Sequence, residues 1–428
     1  MINIFWFRRD LRLHDNYGLY RALAAGLPVE LLFIFDSEIL EKLENKQDAR
    51  VTFIHNVLKD LNATLKSSGA SIRVEYGKPL NIFEKIISQQ EVNAVFANED
   101  YEPYALQRDN EVGKLLKYSG ITFLTFKDHV IFSPGEVMKD DGRPYTVFTP
   151  FANKWKRLLL EEKETYYPSE KYLFNLTKSE HRLPDLESIG FIASTIEAPK
   201  IRIETQLIGN YENTRNFPAI AGTSMAGVHL RFGTVSIRHL VRLALSNSVT
   251  WLNELIWREF FIHVLYHFPH SAAENFNPRY NRLNWRNNEE EFRRWCDGQT
   301  GFPLVDAGMR ELNTTAYMHN RVRMVTASFL TKHLLIDWRW GEAYFASRLL
   351  DFELASNVGN WQWAAGTGCD AAPYFRVFNP SEQLKKFDNG MEYVRKWVPE
   401  FDQPGYLPML DHAMARQRAI ATYKAALG

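Results

Sequence analysis

The sequence predicts two domains of different class: an α/β domain on a parallel sheet over residues 1–130 and an all-α domain over residues 206–428, joined by residues 131–205. Three observations predict this. The chain's 428 residues exceed what one hydrophobic core ordinarily organises. The first third alternates short apolar runs with amphipathic segments, the pattern of a parallel sheet covered on both faces. Beyond residue 206 the apolar spacing is that of helices.

In chain order, NIFWF (3–7), VELLFIF (29–35), IRVEY (72–76), AVFA (94–97) and ITFLTF (121–126) read as buried strands. Segments near 17–25, 50–67, 80–89 and 105–118 read as the intervening helices. Arg8, Arg9 and Asp10 stand directly behind the first apolar run, so it reads as a strand and not as a secretory leader. No G-x-G-x-x-G follows that strand, which argues against an ordinary dinucleotide site there. Residues 130–205 are polar and irregular, with Pro168 and Pro184, and read as a long connection. WLNELIWREFFIHVLYHF (251–268) is apolar around much of its circumference and reads as a buried helix. AYMHNRVRMVTASFLTKHLLIDW (316–338) reads as one further long helix.

Fifty-one basic residues balance 51 acidic ones, so net charge singles out no polyanionic partner. The distribution is less even. Residues 1–150 hold 18 Lys and Arg against 21 Asp and Glu, while residues 211–428 hold 24 against 21, and 19 of those 24 are Arg. Arg is the cation suited to phosphate, so a basic patch in the second domain is compatible with the charge pattern. Two distant cysteines, Cys296 and Cys369, argue against a disulfide scaffold and fit a reducing cytoplasm. No apolar run reaches the length of a transmembrane helix, no metal-ligand spacing occurs, and without a coiled-coil heptad a monomer is the default expectation. Nine of the 11 Trp lie between Trp251 and Trp397. Such crowding serves core packing, a pocket for flat rings, or electron transfer.

Several constellations have chemical content. Glu254 and Trp257 share a helix face. A carboxylate in so apolar a helix is either satisfied by a nearby Arg or aimed into a pocket beside the indole. Asn320, Arg323 and Met324, at i, i+3 and i+4, also share a face, which suits a heterocycle with an anionic group or simply a core edge. In LLDFELASNVGNWQWAAG, Asp351, Glu353 and Asn357 precede Trp361 and Trp363, and Asp351 is placed to pair with Arg323. In GTSMAGVHLRFG (222–233), Thr223, Ser224 and Gly227 stand at an expected helix start, where a phosphate site and a plain N-cap read alike.

Taken together, FWFRRDLRLHDN, GTSMAGVHLRFG, WLNELIWREFF, DAGMRELNTTAYMHNRVRM and NWQWAAGTGCDAAPYFRVFNP closely resemble the photolyase/cryptochrome family over nearly the whole chain. The resemblance implies a Rossmann-like α/β N-terminal domain and an all-α C-terminal domain that binds FAD. It implies a bacterial-type cytoplasmic enzyme whose reduced flavin, excited by blue light, splits pyrimidine dimers in DNA. By position, Tyr211 and the stretch Thr223, Ser224, Met225, Ala226 and Gly227 match the cofactor's phosphate-binding residues. Asp351, Phe352 and Glu353 match the loop under the flavin ring, Asn357 the residue facing flavin N5, and Arg323 the partner of Asp351. Arg258 matches a residue at the cofactor and DNA edge, and Trp361, Trp338 and Trp285 the chain carrying an electron between flavin and surface.

The same resemblance implies a dimer pocket of Glu254, Trp257, Asn320, Arg321, Met324 and Trp363, the first two with Asn320, Met324 and Trp363 as catalytic contacts. Arg215, Arg258, Arg321 and Arg376 match DNA-phosphate contacts, with Phe261 also at the DNA side. YMHNRVRM and the second Trp of NWQW resemble the class I cyclobutane-dimer branch, whereas (6-4) enzymes carry a histidine pair where this chain has His319-Asn320. Glu353 stands where many relatives have Asp. Tyr104-Ala105 replaces the Asn-Glu pair of folate-antenna relatives, which argues against methenyltetrahydrofolate and leaves a deazaflavin, another flavin or no antenna. The extended C-terminal tail of signalling cryptochromes is not expected after Glu400. A light sensor without repair, (6-4) repair and a non-catalytic flavoprotein are the competing readings.

Overall fold

The computed structural model describes residues 1–161 and 166–427; residues 162–165, inside the connection read from sequence, lie outside the described residues. Met1–Val137, Trp155–Ile201 and Met225–Ser246 form one compact unit. Met138–Lys154, Arg202–Ser224 and Asn247–Gly428 form the other.

The first unit holds five parallel strands: β1 (Ile2–Phe7), β2 (Val29–Asp36), β3 (Ile72–Gly77), β4 (Val92–Asn98) and β5 (Thr122–Phe126), in the order β3-β2-β1-β4-β5. Parallel neighbours require crossovers. Helices α1 (Tyr17–Leu23), α2 (Ala49–Leu65), α3 (Pro79–Gln89) and α4 (Pro103–Tyr118) supply them. Their starts are locally encoded. The Asn16 side chain accepts from Leu19 N–H at 3.1 Å, Asp48 accepts from Arg50 N–H at 2.8 Å, and Pro79 and Pro103 open α3 and α4. Every residue of β2 is buried, as expected of an inner strand. One core layer joins Ile4, Trp6, Leu32, Phe83 and Val95. Arg12 and Arg238 clasp Asp128 at 2.6 and 2.8 Å, and Arg238 also holds Asp15 at 2.9 Å. Burial works to raise the Asp128 carboxyl, but the two guanidinium groups hold it well below the usual range.

In the second unit, α5 (Val249–His267) is capped by Ser248 and buries Trp251, Leu252, Leu255, Ile256 and Phe260. It is followed by α6 (Pro303–Thr315), α7 (Asn320–Ser328), α8 (Trp338–Arg348), α9 (Leu354–Ala365) and α10 (His412–Leu427), with shorter helices between. Gly359 on α9 lies against Phe261 of α5, where a Cβ would come within 2.2 Å of the ring. Gly341 on α8 likewise admits Trp361. These two glycines let α9 approach both neighbours.

The single helix read over residues 316–338 is a correction. Ala316 has φ of +55°, His319 caps α7, and Phe329–His333 form a π-helical turn. The chain breaks again at Leu335, φ +50°, before Asp337 caps α8. The apolar spacing runs on through these breaks because all five residues of the π turn are buried. Among the described residues, no helix is long and apolar enough to cross a membrane, and no cluster of His, Cys, Asp or Glu is arranged to hold a metal.

Candidate functional site

A cavity opens beside α7 and α9. The i, i+3, i+4 face of α7 supplies Asn320, Arg323 and Met324 to its wall. The α8–α9 loop adds Asp351, Phe352 and Glu353, and α9 adds Asn357, Trp361 and Trp363. The Arg323–Asp351 pair anticipated from sequence is present: Arg323 Nη2 donates to both carboxylate oxygens at 3.1 and 2.9 Å. Arg323 Nε donates to Met318 O at 2.7 Å, which fixes the fork. Glu353 is held by Arg258 Nη2 at 2.9 Å and accepts from Ser356 Oγ at 3.1 Å. Asn357 Nδ2 donates to Glu342 Oε1 at 2.8 Å, so its Oδ1 is the acceptor it can offer to a ligand.

Glu254 shows features of both readings of its helix. Its carboxylate is ion-paired with Arg215, yet both side chains keep some exposure, about 31% and 27%. Burial raises the Glu254 carboxyl and Arg215 lowers it; burial prevails. Glu254 also lies close enough to Tyr211 to raise that phenol electrostatically, after burial has done most of the work. Trp257 stacks flat on Phe148, with centroids 3.7 Å apart and planes 4° from parallel. Phe261, on the same helix, tilts against Trp257 at 5.5 Å and lines a separate small cavity with Gly359 and Gln362.

Arg321 is turned away from Arg323. Its Nη2 donates to Asn216 Oδ1 at 2.7 Å, its guanidinium lies 4.3 Å over Phe387, and its buried Nε has no partner. Burial, then the like charges of Arg215 and Arg376, lower its pKa. Three arginines thus gather where an anion would relieve both the repulsion and the unmet donor.

The Thr223–Gly227 stretch departs from the capping picture. The helix there begins at Ala226, and its cap residue is Met225, with φ of +53° and no side-chain cap bond. Thr223 instead bonds the Tyr317 hydroxyl.

Trp361 and Trp338 belong to one buried core, with Trp285 packed at its edge. Trp361 covers Gly341, one turn beyond Trp338. The Trp285 segment is strapped to the residues before Trp338 by Arg286 N–H to Leu335 O at 2.7 Å and Asp337 N–H to Asn287 Oδ1 at 2.8 Å. In the first unit, Tyr104 donates to Asp36 at 2.6 Å and, with Glu38, Lys78 and Arg108, lines a cavity at the carboxyl end of the sheet.

Sequence reasoning missed Phe148, Glu342 and Asn275. Phe148 and Asn275 act through partners far away in the chain, Glu342 through one on the next helix, and no local spacing marks them.

Residues 3–169 match the DNA photolyase family, and residues 251–405 match the FAD binding domain of DNA photolyase. The chain is 37% identical to a deoxyribodipyrimidine photo-lyase of Synechococcus sp., covering 93% of this chain and 87% of that protein. It is 36% identical to one of Vibrio cholerae over the full length of both. Among solved structures, a class III photolyase of Agrobacterium tumefaciens superposes with a TM-score of 0.87 at 32% identity, covering 99% of this chain and 97% of that one. A Sulfolobus tokodaii photolyase with two FAD molecules gives 0.85 at 32% identity, covering 99% and 100%. Matched along both of its parts and at this identity over its whole length, the chain belongs to the DNA photolyase family and is an FAD-binding photo-lyase of DNA repair.

Proposed function

We propose that this protein repairs cyclobutane pyrimidine dimers in DNA, receiving the dimer in a pocket formed by Glu254, Trp257, Asn320, Met324 and Trp363. The observation that supports this most is that Asn320, Met324 and Trp363 line the same cavity as Arg323, Asp351 and Asn357. Lesion contacts and flavin contacts would then meet with nothing between them.

The residues fit a flavin. The walls of the cavity combine aromatic rings with a few fixed polar groups, and Asn357 presents an acceptor. FAD, when bound, supplies the light absorption and the electron. The protein's share is placement. Arg323, neutralised by Asp351, sets the local field without a large net charge. Arg258 and Ser356 hold Glu353 in place, where it would serve the bound cofactor. Photolyases act on bases taken out of the stack. Trp257 and Trp363 offer apolar surfaces to such a base pair, Glu254 a hydrogen-bond acceptor, and Arg215, Arg321 and Arg376 counter-charges for the flanking phosphates. The curated relatives named deoxyribodipyrimidine photo-lyase favour the cyclobutane substrate.

The test is light-dependent repair. The FAD-loaded, reduced protein is mixed with ultraviolet-irradiated oligothymidylate, and recovery of thymine absorbance is followed in blue light and in darkness. Recovery in light alone, lost in Glu254→Ala and Trp257→Ala with FAD retained, is expected. No recovery in light would overturn the reading, and a (6-4) substrate in the same assay would then separate another lesion from a sensor.

A further inference from the structure

The indole N–H of Trp338 donates to Asn275 Oδ1 at 2.9 Å, and both residues are almost fully buried. The orientation of the amide follows from chemistry: an indole nitrogen can only donate, so the atom facing it is the oxygen. Asn275 Nδ2 in turn donates to Asn281 Oδ1 at 2.8 Å. The segment carrying Asn275 is pinned by Gln362, the residue between Trp361 and Trp363. Gln362 Nε2 donates to Ser271 O at 2.8 Å and Glu274 O at 3.0 Å, and its Oε1 accepts from Phe276 N–H at 2.8 Å. This is a built arrangement around one indole proton.

Its consequence concerns a tryptophan that gives up an electron. An oxidised indole becomes a far stronger acid at its N–H than the neutral ring, comparable to a carboxylic acid. A carboxylate or imidazole in contact would take that proton and leave a neutral radical, which cannot be refilled by electron transfer alone. A primary amide oxygen accepts the hydrogen bond but is too weak a base to remove the proton. The Arg339 guanidinium, 4.9 Å from the Trp338 ring centre, adds a cation that disfavours a resting positive charge there. Trp285, by contrast, is only half-buried at the edge of the core.

We propose that Asn275 is a positioning residue of the electron path, keeping the Trp338 indole protonated so that the positive charge passes on to Trp285. The inference rests on the reading of Trp361, Trp338 and Trp285 as that path. The balance is simple. Light-excited FAD is the oxidant, and Trp361, which supplies its electron, is refilled by Trp338. Trp338 keeps its proton and is refilled by Trp285. Trp285 releases its proton to water, and a thiol in solution finally restores it by giving up an electron and a proton, the resulting thiyl radicals pairing to a disulfide.

The experiment is transient absorption on the FAD-loaded full chain, which distinguishes protonated from neutral tryptophan radicals. Trp361→Phe tests the path itself: if photoreduction persists there, the underlying reading fails. With the path established, Trp285→Phe isolates the charge on Trp338 without touching Asn275. A protonated radical that decays by recombination, with no deprotonation and no solvent-isotope effect, is expected. A neutral radical formed in Trp285→Phe would overturn the proposal. Asn275→Asp, with FAD content and circular dichroism unchanged, is expected to give an early neutral radical and a severalfold lower yield of thiol-dependent photoreduction. Wild-type kinetics in that variant would equally overturn it.

Discussion

At the residue scale, the site depends on pairs that fix one functional side chain each. Asn357 is held by Glu342, Glu353 by Arg258, and Trp257 by Phe148. The Phe148 stack is itself anchored: Phe148 N–H donates to Asp370 Oδ2 at 3.0 Å, and Cys369 Sγ to Thr146 O at 2.8 Å. Asp370, with φ of +49°, belongs to the segment that follows α9, so the stack is tied to the helix carrying Trp361 and Trp363. A stacked aromatic pair contributes about 0.5–1.5 kcal/mol beyond its buried area. Phe148→Leu keeps most of the volume and loses the stack. It is expected to weaken binding of dimer-containing DNA roughly two- to tenfold while leaving FAD content and binding of undamaged DNA unchanged. Equal weakening for damaged and undamaged DNA would mean that the ring serves general packing.

At the element scale, α7 carries Asn320, Arg323 and Met324, and its placement depends on how its first turn is held. His319 Nδ1 accepts from Arg321 N–H at 3.2 Å as the cap, and His319 N–H donates to Glu311 Oε2 at 3.1 Å. That oxygen also receives the Tyr393 hydroxyl at 2.6 Å. Burial, then Arg323 and Arg321, push the His319 pKa down from 6.5 to about 4. The unfolded chain therefore binds a proton at this residue over a range where the folded chain does not. Its contribution to stability is present above pH 6.5 and is lost as pH falls towards 4, a cost on the order of 3 kcal/mol. His319→Asn keeps a capping acceptor and removes the titration. Urea unfolding at a series of pH values should show a shallower acid loss in the variant than in the wild type. Parallel curves would exclude His319 as the source.

At the scale of the whole molecule, equal numbers of acidic and basic residues give no general attraction to DNA. Binding must come from local charge, and Arg215 and Arg376 lie near enough to Arg321 to add their like charges to the burial that lowers its pKa. Neutralised phosphates release counterions, so affinity for dimer-containing duplex should fall linearly on a log–log salt plot. Arg321→Ala is expected to reduce the slope by about one. A flat plot would count against a phosphate contact. An unchanged slope in the variant would assign the contact to the other arginines.

By itself the sequence determined the architecture, because buried strands and amphipathic helices are written in local periodicity. β1 to β5 stand where the apolar runs are, and the shared faces of Asn320, Arg323 and Met324 follow from helical spacing. Only the tertiary structure decided which faces meet. Phe148 stacks on Trp257 across 109 positions, and Asn275 reaches Trp338 across 63. Periodicity tells which side a residue occupies but not which distant segment packs there, because that choice is made by the summed packing of the whole core. The breaks around α7 have the same origin. No Pro or Gly stands between Ala316 and Trp338, so nothing local ends the helix. The π turn and the turn at Leu335 are imposed by the burial of Phe329 through Ile336, a tertiary demand that overrides a weak local propensity.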